Sequence, residues 1–556
     1  MQLLNNYLNK ISKPLVLIVL LALSIRLVGV NYGLPNDNFH SDEPKMVLSS
    51  THVAVNFTNN KTFSNLEQPQ YKYPHGVMNT FSTVFIGIYY LTRIVDKVMH
   101  ITPTIFSTFD NSTFTLFARV IVAVMGSLLV WIVYLIGKEL KLSKYLSLMW
   151  ALLITVSFGL SVHSKYATRN IVSILYAYIS LLFLIKFLNE KKIKYLIFGS
   201  FMVGVSIVSS IERAFFAVPI FIIILLVAKT DLLKIIKLGL ISAFFIFLGM
   251  FIASPFIFLN FDRFLENGLV GQSDTQEYGQ IGRTATNFGY MLWNNNKVDF
   301  DNKVPNSIAG IVIPLVFVLS ILGILYKLLF KRDKYDLILL GILVSQLIVF
   351  GQYRSQMIRW YIALIPIFLY YFTYFTLNTN FTKYKKGLTV MFFIGVSLNL
   401  FYSVEYSYSK TLKDTRVIAK EWLNKNLDKS SMLFGTYWSS AGDFNKKGIP
   451  FYYYEQRHNM QSTIAPDPKL FFCSINLEAK SYVVVSSYVT TIYNYPETKN
   501  YYKIHTRSFL DFYDYIDKNF KLIKTINGDE LFNNPGPTLK VYEIVGNQLQ
   551  CKGEEQ

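Results

Sequence analysis

Charged residues are scarce in this chain. Asp, Glu, Lys and Arg make up only 16% of its 556 residues, whereas about a quarter is usual for soluble globular proteins. Hydrophobic residues make up 52%, and the mean hydropathy is +0.33. These proportions argue against an ordinary soluble enzyme and predict a polytopic membrane protein.

Cysteine and acidic residues are also few. Cys473 and Cys551 are the two cysteines, which excludes a disulfide framework or a thiolate metal centre but leaves one external disulfide open. The net charge is +19, and its basic residues lie mostly between apolar runs. Because Lys and Arg accumulate in cytoplasmic loops and near anionic headgroups, membrane lipids explain this charge and no nucleic-acid partner is predicted.

Eleven apolar runs predict eleven transmembrane helices, since about 20 apolar residues cross the hydrocarbon core. They are residues 14–34, 114–137, 145–162, 170–188, 195–211, 214–228, 235–258, 307–330, 336–352, 357–377 and 387–404. A twelfth apolar segment, residues 76–95, carries Asn79, several hydroxyl side chains and two adjacent tyrosines, so its placement is ambiguous from composition.

The distribution of lysine decides the orientation. Five short loops are rich in basic residues: 138–144, 186–194, 229–237, 327–334 and 383–386. They share one side with Lys10 and Lys13 only if 76–95 does not cross the membrane. We therefore predict an interfacial amphipathic helix over 76–95, a cytoplasmic N-terminus and an extracytoplasmic C-terminus.

Two regions follow from this topology. Residues 1–405 are predicted to be a transmembrane catalytic domain with a first external loop at 35–113, and residues 406–556 a small extracytoplasmic α/β domain. The patterns in the second region predict helices at 414–427 and 510–520 and strands at 481–489 and 538–545.

The predicted outer face combines carboxylates with positive charge. Asp42 and Glu43 follow the first span, and five basic residues come from other outer segments: Lys165, Arg169, Arg213, Arg354 and Arg359. Singly, such groups are often solvated or snorkel to headgroups. Together they predict a site for an anionic lipid headgroup, in which basic groups bind phosphate and a carboxylate acts as a general base.

Several motifs, taken in order, resemble a known family. "HSDEPKMVLSS" (40–50) is similar to its Asp-Glu signature, "YKYPHGVMNTFSTVFIGIYYL" (71–91) to the start of its interfacial helix, and "HSKYATRN" (163–170) to its second-loop element. Two spans, 117–140 and 359–371, and the tail segments 414–427 and 536–544 continue the likeness. The chain resembles, over nearly its whole length, GT-C-fold glycosyltransferases of the family 39 branch, which includes protein O-mannosyltransferases and aminoarabinose transferases.

The resemblance implies an α-helical polytopic fold with about 11 transmembrane helices, interfacial helices and a small C-terminal domain. It also implies a polyprenyl-phosphate-linked sugar donor, a hydroxyl acceptor on a protein, lipid or glycan, and Asp42 as the catalytic carboxylate with Glu43 beside it. Arg359 and Arg213 are favoured as the phosphate ligands. No cofactor is assigned, and a divalent metal ion is left open.

Seven further side chains are assigned to the sugar or acceptor pocket on the same basis: His40, Tyr71, Tyr73, His75, His163, Tyr166 and Asn170. The family's second-loop element commonly ends in Asp where this chain has Asn170. An amide cannot act as a base or as an anionic metal ligand, so more of the chemistry falls on Asp42.

Two other classes of function remain as alternatives. A transporter or flippase of lipid-linked sugars usually has charged residues deep within several spans, whereas the spans here are nearly free of charge at their centres. An oligosaccharide ligase or polymerase that uses a lipid diphosphate donor is a closer rival within the enzymes. The identity of the donor distinguishes such a ligase or polymerase from a glycosyltransferase that uses a polyprenyl-phosphate sugar.

Overall fold

The structure is a computed structural model that describes part of the chain. The described residues are 13–34, 43–67, 75–99, 109–264, 308–350, 360–427, 432–435, 451–453, 481–487, 503–528 and 534–544. They form two compact units, a helical unit that ends at Ser407 and a sheet unit that begins at Tyr408. The functions assigned to residues 1–405 and 406–556 stay predictions.

Helices make up the helical unit, and each of the eleven predicted spans overlaps at least one of them. They are α1 (Lys13–Leu27), α2 (Glu43–Asn60), α3 (His75–Met99), α4 (Asn111–Glu139), α5 (Lys144–Val156), α6 (Phe158–His163), α7 (Arg169–Glu190), α8 (Ile193–Ser209), α9 (Val218–Ala228), α10 (Leu232–Ala253), α11 (Phe256–Leu259), α12 (Phe261–Phe264), α13 (Ile308–Val312), α14 (Pro314–Phe330), α15 (Lys334–Phe350), α16 (Ile365–Asn378) and α17 (Lys385–Ser409). Short 3₁₀ turns cover Phe63–Leu66, Ile211–Ala217, Ile362–Leu364 and Thr382–Tyr384.

The apolar helices identify a polytopic membrane protein. Among the described residues, five helical segments are long and apolar enough to cross a bilayer: Asn111–Glu139, Arg169–Glu190, Ile211–Ala228, Leu232–Ala253 and Thr382–Ser409. Four shorter apolar helices accompany them: Lys144–Val156, Ile193–Ser209, Pro314–Phe330 and Ile362–Asn378. This confirms the predicted fold class. Helix α3 is a single helix over the predicted interfacial segment, and its position at the membrane surface stays a prediction.

Short turns reverse the chain on the lysine-rich side. Lys141, Lys191 and Lys229 follow α4, α7 and α9 with positive φ angles of 62°, 58° and 54°, and Lys191 adopts the left-handed conformation in which many helices end. At the opposite end of α4, the Asp110 carboxylate accepts the backbone N–H of Thr113 at 2.8 Å. Hydrogen bonds from Thr113 lower the pKa of Asp110. Reversal at each turn leaves the candidate site segments at the opposite ends of the helices.

Glycine allows α8 and α10 to cross at close range. A Cβ atom on Gly204 would collide with the carbonyl oxygen of Ile246, and one on Gly249 would collide with that of Phe201. Small residues at helix crossings allow the backbone contact that drives association within a bilayer. The crossing holds the end of α8 next to the 3₁₀ turn that carries Glu212 and Arg213.

The sheet unit is built on a five-stranded mixed sheet of order β2-β1-β3-β5-β4. Its strands are β1 (Met432–Gly435), β2 (Phe451–Tyr453), β3 (Ser481–Ser486), β4 (Lys521–Ile526) and β5 (Leu539–Ile544). β1 pairs in parallel with β2 and β3, and β5 pairs antiparallel with β3 and β4.

Two helices complete this unit, α18 (Thr415–Asn426) and α19 (Lys503–Asn519). Ala419 and Leu423 of α18 are buried with Leu433, Val484 and Val541 of the sheet in one apolar cluster. The small α/β region predicted from sequence is thereby confirmed, with both predicted helices and both predicted strands present. The two cysteines lie outside the described residues.

The α8–α10 crossing yields a matched pair of substitutions. Gly249→Ala is expected to lower the melting temperature of the purified protein, because its Cβ collides with backbone that cannot move aside; overpacking of this kind costs about 1–3 kcal/mol. Gly239→Ala on the same helix has open space around it and is expected to leave the melting temperature unchanged or slightly higher. Equal effects of the two substitutions would contradict the close crossing.

Candidate functional site

Glu43 is a fully buried carboxylate at the first residue of α2. Its Oε1 accepts a hydrogen bond from Nε of Arg119 at 2.7 Å, and its Oε2 accepts one from Nη2 of Arg119 at 2.6 Å. Oε1 also accepts the backbone N–H of Ala167 at 2.7 Å. The carboxylate is therefore fixed to α4 and to the segment between α6 and α7 by three charge-assisted hydrogen bonds.

Arg119 extends this contact to the end of α1. Its Nη1 donates to the carbonyl oxygens of Val30 at 3.0 Å and Tyr32 at 2.6 Å. One guanidinium in the first third of α4 thus joins the chain leaving α1 to the start of α2. The sequence showed Arg119 only as an arginine within an apolar span, which signals that a partner is needed but does not identify it.

Lys165 binds backbone carbonyl groups at the end of α1. Its ammonium donates to the carbonyl oxygens of Ile25 at 2.8 Å, Arg26 at 3.4 Å and Val28 at 2.6 Å. Only 2% of the residue is exposed. A cation at the carboxyl end of a helix stabilises its unpaired carbonyl groups. Lys165, predicted from sequence as a phosphate ligand, is engaged in the structure by the end of α1.

A second buried cluster contains two arginines and one carboxylate. Arg169 Nη2 lies 2.9 Å from Glu212 Oε1, and Ser210 donates its hydroxyl to the other oxygen of Glu212. Arg213 is fully buried; its Nε donates to Ser173 Oγ at 3.1 Å, and its Nη1 lies 3.5 Å from the carbonyl oxygen of Trp360. Glu212 is thus paired with Arg169, which leaves the cluster with an excess positive charge on Arg213.

The segment 163–170 connects the two clusters. The backbone N–H of Ala167 donates to Glu43, and the side chain of Arg169, two residues later, donates to Glu212. Asn170 Nδ2 and His163 Nδ1 lie 3.2 Å apart, and the hydroxyl groups of Tyr166 and Tyr406 lie 2.9 Å apart.

His75 is buried at the start of α3. A Cβ added to the next residue, Gly76, would lie 2.6 Å from Ser209 Oγ, so this end of α3 packs closely against the end of α8. The four described members of the predicted pocket, His75, His163, Tyr166 and Asn170, lie at or between the ends of α3, α6 and α7, and their role in a pocket stays a prediction.

Six of the predicted site residues lie outside the described residues: His40, Asp42, Tyr71, Tyr73, Arg354 and Arg359. In the part of the chain that is described, no group of three or more His, Cys, Asp or Glu side chains is arranged to hold a metal ion. The structure identifies the partner of Arg119, which the sequence predicted to snorkel or to pair internally, and adds Gln346, which sequence reasoning missed. Both are polar side chains within mostly apolar predicted spans.

A match to a protein family covers the segment that carries these clusters. Residues 99–258 match the family described as dolichyl-phosphate-mannose-protein mannosyltransferase. The chain is similar to the membrane glycosyltransferases of this family. The matched segment contains Arg119, segment 163–170, Glu212 and Arg213. The match confirms the family resemblance that the motifs predicted.

Solved structures give weaker similarity over longer lengths. ArnT from Cupriavidus metallidurans bound to undecaprenyl phosphate matches with a TM-score of 0.45 and 12% identity, covering 97% of this chain and 99% of that chain. The same protein in the apo state gives the same values. The oligosaccharyltransferase of Archaeoglobus fulgidus, in complex with Zn and sulfate, matches with a TM-score of 0.41 and 14% identity, covering 85% and 68%. No curated protein matches the sequence.

The buried Glu43–Arg119 pair should be far more sensitive to substitution than an exposed pair. Arg119→Leu leaves a buried carboxylate without its counterion and is expected to cost about 3–5 kcal/mol of stability. The Glu43→Gln/Arg119→Leu double variant should lose less than the sum of the two single effects. Thermal unfolding in detergent measures these values.

Lys186→Gln is the matched control for this pair. Lys186 lies 3.8 Å from Glu139 with both side chains about a quarter exposed, so its loss should cost less than about 1 kcal/mol. A cost for Arg119→Leu as small as that of the control would contradict the role given to the buried pair.

Proposed function

We propose that the protein is an integral-membrane glycosyltransferase that transfers a sugar from a polyprenyl-phosphate donor to a hydroxyl acceptor on the extracytoplasmic face. The observation that carries the proposal is the match of residues 99–258 to a family described by a dolichyl-phosphate-linked sugar and its transfer. The same segment holds the arginines that surround Glu43 and Glu212. A carboxylate-bearing loop beside buried positive charge suits a reaction in which an acceptor loses a proton and a phosphate leaves.

Asp42 is the general base in this proposal. It directly precedes Glu43, so its Cα lies about 3.8 Å from that of a residue fixed by three hydrogen bonds. It also comes just before the first turn of α2, and the positive end of a helix dipole favours an ionised carboxylate. An ionised Asp42 accepts the proton of the acceptor hydroxyl as that oxygen attacks the anomeric carbon. The bond from this carbon to the phosphate oxygen breaks, and the configuration inverts.

Glu43 then has a different role from its neighbour. Its two oxygens are taken up by Arg119 and by the Ala167 N–H, so it positions the loop rather than exchanging protons. Lys165 is a positioning residue in the same sense, since it holds the end of α1. This arrangement gives the two adjacent carboxylates separate tasks.

The donor phosphate is assigned to Arg213 and Arg359, with Arg354 nearby in sequence and Arg169 as a partly exposed neighbour of Glu212. The assignment to phosphate is best supported for Arg213, because its buried guanidinium has an Nη2 atom without a hydrogen-bond partner. A phosphate oxygen supplies the missing acceptor and balances the charge. Increasing negative charge on the leaving phosphate strengthens these contacts in the transition state.

The remaining assignments complete the proposal. Seven side chains line the sugar or acceptor pocket, namely His40, Tyr71, Tyr73, His75, His163, Tyr166 and Asn170. Helix α3 guides the lipid at the interface, the N-terminus is cytoplasmic and the sheet unit is extracytoplasmic. The acceptor is a protein, lipid or glycan hydroxyl.

Asp42→Asn tests the proposed base. The amide keeps the size of the side chain but cannot take a proton, so transfer from a radiolabelled polyprenyl-phosphate sugar in membranes should fall about 10²–10⁴-fold. Asp37→Asn in the same loop is the control and should retain wild-type activity. Wild-type transfer by the Asp42 variant would eliminate the assignment.

A further inference from the structure

Gln346 is a fully buried amide in α15, a helix in which most residues are apolar. Polar side chains inside membrane spans are costly to bury and usually mark a binding site. The sequence patterns did not single it out, and it is outside the set of catalytic and phosphate-binding groups assigned above. Its contacts indicate what it is able to bind.

One bond fixes the orientation of this amide. The Nε2 group of Gln346 donates to the carbonyl oxygen of Trp360. A backbone carbonyl oxygen can only accept, so the nitrogen of the amide has to face it and Oε1 is the free end. Trp360 is itself held by stacking of its ring on Phe350, with centroids 5.3 Å apart.

Arg213 reaches the same carbonyl group from the 3₁₀ turn before α9. Its Nη1 lies 3.5 Å from the oxygen of Trp360. Two side chains from distant parts of the sequence therefore meet at one backbone oxygen. Each has one buried polar atom without a hydrogen-bond partner: the donor Nη2 of Arg213 and the acceptor Oε1 of Gln346.

The charge around Arg213 indicates an anionic occupant. Glu212 pairs with Arg169 at 2.9 Å. In the described part of the chain, Arg213 has no carboxylate within ion-pair distance, although it is fully buried. A buried guanidinium requires a partner of opposite charge.

The Oε1 atom of Gln346 is an acceptor and requires a hydrogen-bond donor. A phosphodiester has no hydrogen to donate, so it satisfies Arg213 Nη2 but not the amide oxygen of Gln346. A hydroxyl group attached close to the phosphate satisfies that oxygen. In a lipid-phosphate sugar, the sugar hydroxyl groups are the donors closest to the phosphate.

We propose that Gln346 is a donor-binding residue whose Oε1 accepts a hydrogen bond from a hydroxyl of the transferred sugar, next to a phosphate oxygen bound by Arg213 Nη2. This inference rests on the proposed function, because it requires a donor in which sugar and phosphate are adjacent. It makes Gln346 a contributor to sugar recognition, separate from recognition of the lipid phosphate.

Equilibrium binding tests the assignment in lipid nanodiscs, without need of the acceptor. The probes are polyprenyl phosphate and a panel of polyprenyl-phosphate hexoses and pentoses. The panel member that the wild type binds most tightly is then compared with its monodeoxy analogues. The variants are Gln346→Met, which keeps the volume but removes the amide, and Ser345→Ala. Ser345 bonds only the Ile342 carbonyl of its own helix among the described residues and serves as the control.

Gln346→Met is expected to weaken binding of the sugar-bearing lipid about tenfold, as for the loss of one hydrogen bond, and to leave binding of polyprenyl phosphate unchanged. One monodeoxy analogue should show the same loss with the wild type and no further loss with Gln346→Met. The Ser345→Ala variant should match the wild type with every probe.

Three results overturn the inference. The first is equal weakening of both lipids by Gln346→Met, as expected if the amide only supports Trp360. The second is unchanged binding of the sugar-bearing lipid by that variant. The third is equally tight binding of all monodeoxy analogues and of the parent sugar-bearing lipid by the wild type. This third result can be obtained even if the Gln346→Met variant does not fold. Failure of the wild type to bind any of the lipids would instead overturn the proposed function, and the inference with it.

Discussion

The ion pair between Glu43 and Arg119 is the constraint on which the rest of the helical unit depends. Both side chains are fully buried, and removing two charges from water is expensive unless every polar atom is bonded. The chain meets this requirement with two parallel hydrogen bonds between the pair, two carbonyl groups after α1 and one backbone N–H before α7. Because each of these partners comes from a different segment, the pair can be satisfied only when four segments are in place together.

This requirement separates two carboxylates that are adjacent in sequence. Glu43 is desolvated and fully bonded, so it is unsuited to exchanging protons during a reaction. Asp42 directly precedes Glu43 in the sequence and lies outside the described residues. Adjacent acids placed in different environments take different roles, and here one fixes geometry while the other is proposed to act on the acceptor. Arg213, the residue after Glu212, is fully buried, and the proposal assigns the leaving phosphate to it.

Much of the fold follows from the sequence because hydropathy reports helix position directly. Every predicted span overlaps a helix, and the lysine-rich turns lie where the chain reverses. The pairing of Glu43 with Arg119 was not predictable, because the partners are 76 residues apart and nothing in their neighbouring residues links them. The contacts of Lys165 were not predictable either, because its ammonium binds three carbonyl groups near the end of α1, about 140 residues away in the chain.

The sheet unit shows the same limit. Strands β3 and β5 were predicted from runs of β-branched residues, whereas β1 and β2 span only four and three residues and form through pairing with neighbours. Gln346 was overlooked for a related reason, since one amide hardly changes the hydropathy of α15. Its significance is visible only from the carbonyl it shares with Arg213.

A double-mutant cycle on sugar transfer by Asp42→Asn, Glu43→Gln and the double variant tests the central claim, that Glu43 acts by positioning Asp42. If it does, the rate lost through Glu43→Gln in the wild type should be largely absent once Asp42 is already Asn, so that the double variant transfers sugar about as fast as Asp42→Asn alone. Effects that multiply, with the double variant slower by the product of the two single losses, would show that Glu43 contributes to the reaction independently of Asp42 and would contradict the account.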